Sequence, residues 1–447
     1  MTKAKNDIDM LNGSIWNKLL IFALPIAASN ILQQLFNSAD AAVVGRFAGS
    51  QALAAVGNNG PIINIIISLF VGVSLGANVV IANFIGASRK REIQDAVHTA
   101  ILFALLAGFA LIIIGFFLAK PILKIISTPD DVIDLAALYL KIYFTGSPFF
   151  LLYNFSSSIL RSKGDTKRPL LALIISGIIN ILLNLLLVIV FHLGVAGVAI
   201  ATVISNAVSA ALVLYFLFTE TDDLKLSIKK IHINTSILSR MIKIGGPSGI
   251  QASLFAISNL TVQSAINSFG SMGMAGSASE LNYELFSYFV VLAFNMTTTS
   301  FTSQNLGAKN YQRCKKIARY CILFSIAITG FMDIIFMLFN NFFIGIYTTE
   351  AEAIQYGITR LMIVMPFYWL VSVYEVSGST IRALGHSMLP ALISIICICL
   401  FRIFWVKVIF SLHSSWEILS LIYPVSWIIN AITMSSAYLI VAKKTYN

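Results

Sequence analysis

From its amino terminus onward, the chain alternates long apolar runs with short polar ones. After a polar stretch from Met1 to Ser14, apolar runs lie near residues 15–42, 55–84, 94–118, 131–158, 168–191 and 194–218. A polar connector follows, and six further runs lie near 238–267, 277–305, 317–341, 352–380, 388–411 and 418–442. An α-helix needs about 20 mostly apolar residues to cross the hydrocarbon core of a bilayer. The pattern therefore predicts an all-α integral membrane protein of twelve transmembrane helices. The first run is too long for a signal-peptide core and has no cleavage site after it, so it is expected to remain as a spanning helix. The connector from Thr219 to Thr235, with Glu220, Asp222, Asp223, Lys225, Lys229 and Lys230, is the longest polar stretch inside the chain. It divides the sequence into an amino-terminal tail (1–14), a first lobe (15–218), a cytoplasmic linker (219–237), a second lobe (238–442) and a carboxy-terminal tail (443–447).

Composition agrees. Apolar residues make up 58% of the 447-residue chain and charged residues only 11%, against roughly 25% charged in an ordinary soluble domain. There are too few charges to coat a water-soluble protein of this size. The net charge of +11 does not point to nucleic acid, which needs basic residues gathered on one soluble face. The basic residues fall instead in short bursts between apolar runs: Lys3 and Lys5; Arg89, Lys90 and Arg91; Arg161, Lys163, Lys167 and Arg168; Lys225, Lys229 and Lys230; Lys309, Arg313, Lys315, Lys316 and Arg319; Arg382; Lys443 and Lys444. These bursts recur every second connector, and the intervening connectors are richer in acids such as Asp130, Asp131, Asp134, Glu350 and Glu352. The positive-inside rule then places both termini in the cytoplasm of a cell with a bacterial-type inner membrane. The four cysteines have no metal-finger or disulfide spacing and read as small apolar residues.

The two halves match each other at an offset of 221 residues. Gly86-Ala87 opens GASRKREIQDAVHTAILFALLAG, and Gly307-Ala308 opens GAKNYQRCKKIARYCILFSIAITG. Arg161 with Pro169 recurs as Arg382 with Pro390, Gly49-Ser50 as Gly270-Ser271, and Pro25 as Pro247 with a shift of one residue. A duplicated six-helix unit keeps its orientation in the membrane, so the halves are expected to be related by an axis along the membrane normal, an arrangement common in transporters.

A charge at the centre of a spanning helix costs about 2.5–3.5 kcal/mol on insertion scales, so charged residues inside the apolar runs are functional candidates. The first half has one such acid, Asp40, with Asn154, Asn180, Asn184, Thr202 and Asn206 as polar company in other runs. Asn180 and Asn184 are four apart and share a helix face. A desolvated carboxyl among amides and hydroxyls suits either proton exchange, through an elevated affinity for protons, or a sodium ion held by oxygen ligands at Asp40, Asn180 and Thr202. The second half has Glu280 and Glu284, also four apart and placed to face an outward vestibule, an isolated Asp333, and Glu375, which replaces Asn154 in the repeat. These acids are candidates to attract a cationic substrate, and Arg402 is placed to neutralise one of them. Lys141 and Arg360 read as snorkelling residues near outer helix ends. Among the aromatic residues, Phe150, Tyr153 and Tyr288 are candidates to line a cavity and stack on flat ligands. Pro25 and Pro247 each remove a backbone hydrogen bond and are candidate hinges. No HExxH, GxSxG, P-loop or Rossmann glycine pattern is present, so the chain is expected not to be an enzyme and to need no cofactor. Without ATP chemistry, an ion gradient of H⁺ or Na⁺ is the expected energy source.

The stretch LPIAASNILQQLFNSADAAVVGRFAGSQALAAVG, with Pro25 and Asp40, and the stretch NFSSSILRSKGDTKRPLLALIISGIINILLN resemble the multidrug and toxic compound extrusion (MATE) family of the multidrug/oligosaccharidyl-lipid/polysaccharide exporter superfamily. The resemblance spans nearly the whole chain. It implies two six-helix lobes around a central cavity and export of small organic, cationic or amphipathic compounds by antiport against H⁺ or Na⁺, with membrane lipid and substrate as the only partners of a monomer. It also implies that Asp40, Asn154, Asn180 and Thr202 form the amino-lobe cation site of the branch containing the DNA-damage-inducible F-type proteins, and that Pro25 bends the first helix in response to Asp40. The family's second carboxylate falls at Asn184, which leaves one acid and tilts the expectation toward protons. The acid that another branch carries early in its seventh helix is also missing from GGPSGIQASLFAIS. The alternative within the same superfamily is a flippase of lipid-linked oligosaccharides, whose anionic cargo favours a basic interior.

Overall fold

The computed structural model describes residues 7–125 and 128–446; the basic residues Lys3 and Lys5 lie outside the described residues. The described chain is helical, with no strand. In order, its helices are α1 (Trp16–Phe47), α2 (Ser50–Gly86), α3 (Lys90–Ile125), α4 (Asp130–Thr145), α5 (Ser147–Lys163), α6 (Lys167–Asn184), α7 (Gly194–Thr219), α8 (Thr235–Asn267), α9 (Gly270–Gly307), α10 (Tyr311–Leu338), α11 (Asn340–Gly345), α12 (Ala351–Val364), α13 (Trp369–Ala383), α14 (Met388–Ser394), α15 (Phe401–Phe404) and α16 (Trp416–Tyr446).

Two of the predicted spans are broken. The α4 and α5 helices meet at 47°, and so do Ala351–Phe367 and α13. Pro148 starts α5, and Pro366 lies in the 3-10 turn Met365–Phe367. Proline lacks the N–H that would continue the backbone ladder through the bend, and the two bends fall at matching places in the repeat. Two other predicted spans change winding instead. The α6 helix runs into a π-helical turn, Leu185–Val190, and the span that begins with α14 contains π turns at Ile395–Leu400 and Trp405–Phe410. Among the described residues, nine helices are long and apolar enough to cross a membrane, or eleven when each bent pair is one span. The twelfth predicted span is α8, whose first part carries Arg240 and Lys243 and whose remainder is dotted with Ser, Thr, Asn and Gln.

The chain forms two compact units. One comprises the residues up to Asp9 and Ala28–Gly246; the other comprises Met10–Ala27 and Pro247–Asn447. The divisions therefore fall inside α1 and α8, two residues after Pro25 and at Pro247, and not in the polar linker that separates 15–218 from 238–442 in the sequence. Within the first unit, α5 is central, packed on α2, α3 and α7, with Phe155, Ile159 and Leu160 fully buried. The beginning of α8 belongs to this unit because its backbone lies directly on α2. A Cβ on Gly76 would sit 2.1 Å from the Met241 carbonyl oxygen, and one on Gly245 would sit 2.2 Å from that of Gly72. Gly72 and Gly76 form the G-x-x-x-G spacing that lets helix backbones touch. Within the second unit, α9 is central, packed on α10, α12 and α13, with α16 against α13. The beginning of α1 joins this unit through Phe22, fully buried and set edge-on to Phe301 at 5.3 Å. Met10 adds to it: its carbonyl accepts from Asn305 (3.1 Å) and from Arg313 Nε (3.0 Å).

Candidate functional site

In the first unit, Asp40 lies two turns before the end of α1. Its place is set one turn earlier, where Phe36 lies on Gly177 of α6. A Cβ at that glycine would meet the Phe36 ring at 1.9 Å, so the missing side chain is what lets α1 approach α6. Asn180 and Asn184 follow Gly177 along the same helix face. The Asn184 side-chain amide donates to Asp40 Oδ1 and also reaches Asn180 Oδ1 at 3.3 Å. Asn180 in turn donates to Ser205 Oγ (3.4 Å), and Ser205 donates to the Thr202 carbonyl (2.9 Å) on α7. The Thr202 hydroxyl lies beside Asp40 and donates to the Val198 carbonyl (3.0 Å), and Tyr139 and Tyr143 of α4 lie within electrostatic reach of the carboxyl. Asn184 is 0% exposed and Asn180 5%. The partly buried carboxyl is thus held by the Asn184 amide, with further amide and hydroxyl groups packed behind it. Immediately after Asn184 the helix widens into the π turn, a distortion frequent at functional sites.

This grouping contains Asp40, Asn180, Asn184 and Thr202 from the sequence reading. The Asn154 amide donates to the Phe150 carbonyl (2.9 Å) of its own helix. Ser205 is the member that sequence reasoning missed. Asn206, one residue on, carries the more conspicuous side chain but points to another helix face, since neighbouring residues differ by about 100° around an α-helix. The remaining aromatic candidates of this unit do not join Asp40: Tyr153 is buried and directs its hydroxyl at the Pro169 carbonyl (3.4 Å), and Phe150 packs against the core.

Glu280, Glu284 and Glu375 of the second unit form two separate groups, and Asp333 stands outside both, its Oδ1 accepting from Ser287 Oγ. Glu280 is fully buried with its Oε2 3.1 Å from Arg360 Nε, and Glu284 Oε2 lies 3.3 Å from another nitrogen of the same guanidinium. Arg360 also donates to the Ser277 carbonyl (3.2 Å) and hydroxyl. The expectation that Arg360 snorkels is corrected: it is 2% exposed, because two carboxyls one helical turn apart on α9 offer it closer partners than the headgroups do. The Glu280–Glu284 pair correspondingly engages Arg360 and is not an open acidic surface. Glu375 on α13 accepts from the Asn295 amide and lies 3.8 Å from Arg382. Tyr288 is partly buried against the core of this unit. Among the described residues, no group of three or more His, Cys, Asp or Glu side chains converges as a metal site.

The structure thus repeats its bends and π turns half by half, with one carboxyl among amides in the first unit and acid–arginine pairs in the second. The sequence profile of the MatE family matches this chain twice, over residues 25–186 and again over 247–406. The chain belongs to the MatE family. Each matched copy begins at one of the two prolines that accompany the divisions between units. This MatE protein is 29% identical over 444 residues to "Probable multidrug resistance protein YoeA" of Bacillus subtilis (strain 168), covering 96% of this chain and 95% of that protein. It is 24% identical over 389 residues to "Probable multidrug resistance protein NorM" of Thermotoga maritima, covering 86% of this chain and 83% of that one. Its fold is that of a solved transporter of the MOP superfamily from Pyrococcus furiosus, with a TM-score of 0.90 at 21% identity over 99% of this chain and 98% of that one. The MatE protein is therefore a multi-pass membrane transporter, with the twelve-helix architecture expected from its apolar runs.

Proposed function

We propose that this MatE protein exports small organic compounds, cationic or amphipathic in character, across a bacterial cytoplasmic membrane in exchange for protons, with Asp40 as the group that carries the proton. Relatives named for multidrug resistance support the export reading. The observation that carries the proton reading is the shell around Asp40. It has one carboxyl, and Asn184 presents an N–H to it. A sodium ion needs oxygen atoms turned inward, whereas an N–H suits a carboxylate that is ionised in one state and protonated in the other. Protonation removes the charge that Asn184 binds and so weakens the link between α1 and α6. An ion whose binding alters such a contact can shift the balance between two conformations, which coupling requires. The spacing of the basic connectors supports a cytoplasmic location for both termini.

Efflux of a fluorescent organic cation from proteoliposomes tests the proposal. With a pH gradient as the only driving force, wild-type protein should drive efflux and Asp40→Asn should lose it by about tenfold or more, the size of a coupling of ~1.4 kcal/mol. An imposed sodium gradient should drive neither. Undiminished pH-driven efflux by Asp40→Asn removes Asp40 from the mechanism, and efflux driven by sodium alone replaces the proton as the coupling ion.

A further inference from the structure

The second unit buries one more acid that plays no part in the scheme above. Asp333 of α10 is 2% exposed. Around it the charges can be paired off. Glu280 and Glu284 face Arg360 at 3.1 and 3.3 Å. Arg402, over the Tyr423 ring at 4.5 Å as Arg360 is at 4.8 Å, also acts on Glu284. It is anchored by Asn259 (3.2 Å) and Ser426 (3.4 Å). Both carboxylates of α9 thus have a guanidinium beside them, and Asp333 is left without one. Among the described residues, no Lys, Arg or His nitrogen pairs with it. Its Oδ1 accepts from Ser287 Oγ at 2.6 Å, and its Oδ2 has no hydrogen-bond partner.

The titratable groups that face it do not help an anion. From α9 these are Glu284 and Glu280, both like charges, and from the end of the 3-10 turn it is Tyr368. Among the described residues, the side-chain hydrogen bonds from α13 to α10 are between hydroxyls, Ser372 to Ser325 and Thr329, and α11 has no titratable residue. A bare carboxylate in this position has one hydrogen bond against the full desolvation cost of its charge. Ser287 suits a group that changes state, because a hydroxyl donates to a carboxylate and accepts from a carboxylic acid. If the contact served only to join α10 to α9, an uncharged side chain would do it at lower cost.

We propose that Asp333 is a second proton-exchanging carboxyl, housed in the second unit and tuned by Ser287, which binds and releases its proton independently of Asp40. Its place in transport rests on the reading of the chain as a proton-coupled exporter; its titration does not.

The test is a pH titration of purified, detergent-solubilised full-length protein, reading the infrared carbonyl stretch of protonated carboxyl groups and the protons taken up per chain. Above the range of exposed carboxylates, about pH 4, the wild-type titration should contain one component lost with Asp40 and another lost with Asp333. Asp333→Asn, which keeps an acceptor for Ser287, should lose one component and take up one proton fewer; Asp40→Asn should lose the other. Ser287→Ala should retain both components but move the Asp333 midpoint to higher pH, because it removes the donor that favours the ionised form. If Asp333→Asn fails to fold, that midpoint shift in Ser287→Ala carries the test, and its absence counts against the proposal. An Asp333→Asn titration superimposable on wild type overturns the proposal. So does a band lost in the variant that was present unchanged at every pH, since Asp333 is then a permanently neutral acid. Loss of the Asp333 component together with undiminished efflux in Asp40→Asn sinks the exporter mechanism while this assignment stands.

Discussion

The shell of Asp40 is an economical one: a single carboxyl, one amide that donates to it, and behind that amide a second amide and the Ser205 hydroxyl. Most of it was legible in the sequence, because a charge and two amides inside long apolar runs are costly and need partners, and because spacings of four mark one helix face. What could not be read were pairings across distant segments. Arg360 and Glu280 are 80 positions apart and nothing local links them, so Arg360 read as a residue reaching for the membrane surface and Glu280 as one facing an outward vestibule. The identity of residue 184 makes a test at this scale. Asn184→Asp would place a second carboxyl in direct contact with Asp40. Two such groups do not both ionise unless a cation lies between them, and the inward N–H is gone. The variant should therefore acquire a thermal stabilisation by sodium over potassium chloride that wild type lacks, measured as the melting temperature of the purified protein in each salt. Preferential stabilisation of wild type by sodium would count against protons as its coupling ion.

At the scale of elements, the apolar runs gave the number and approximate ends of the spans but not their shape. The 47° bends after α4 and before α13 and the π turns after Asn184 and within 388–410 leave no mark in hydropathy, since a bent span is as apolar as a straight one. Pro148 and Pro366 were the available signals for the bends. The contact between α2 and α8 was hidden for another reason: glycine contributes nothing to an apolar pattern, yet Gly72, Gly76 and Gly245 decide how closely two backbones pack. A methyl group at position 245 would need to occupy the space of the Gly72 carbonyl oxygen and the Val73 Cα, at 2.2 and 2.6 Å. Backbone cannot swing aside as a side chain does, so Gly245→Ala should destabilise by about 1–3 kcal/mol or more, the usual range for overpacking. Gly57→Ala serves as the control, since nothing lies within 4 Å of a Cβ there and replacing glycine in a helix interior favours the helix by about 0.5–1 kcal/mol. Thermal unfolding followed by exposure of buried cysteines, of which Cys314 and Cys321 are fully buried, would compare the two. Equal melting temperatures for Gly245→Ala and wild type would mean that α8 does not rest on α2 as described.

For the whole molecule, the sequence repeat and the compact units do not have the same boundaries. Duplication predicts two halves that meet in the linker, each with its own six helices. The compact units instead exchange the beginnings of their first helices: residues 10–27 pack with the second unit and the first part of α8 with the first. Each exchanged segment buries side chains in its host. Phe22 and Leu19 are fully buried, and Ile237, Met241 and Ile244 belong to the core of the first unit. The two readings differ in what happens when the chain is cut. If the linker were the boundary, fragments 1–230 and 231–447, each expressed alone, would fold as stable lobes. With exchanged segments, the amino-terminal fragment lacks the helix that rests on Gly72 and Gly76. The carboxy-terminal fragment lacks Phe22 against Phe301 and leaves Asn305 and Arg313 without the Met10 carbonyl. Each fragment alone should therefore be degraded or aggregate. Co-expression should restore a complex that purifies as one species in detergent and regains pH-driven efflux, because both exchanged segments are again supplied. Fragment 231–447 purified alone as a monodisperse protein with wild-type thermal stability would show that the exchanged segments are dispensable, and that the duplication in the sequence, not the packing, marks the folding unit.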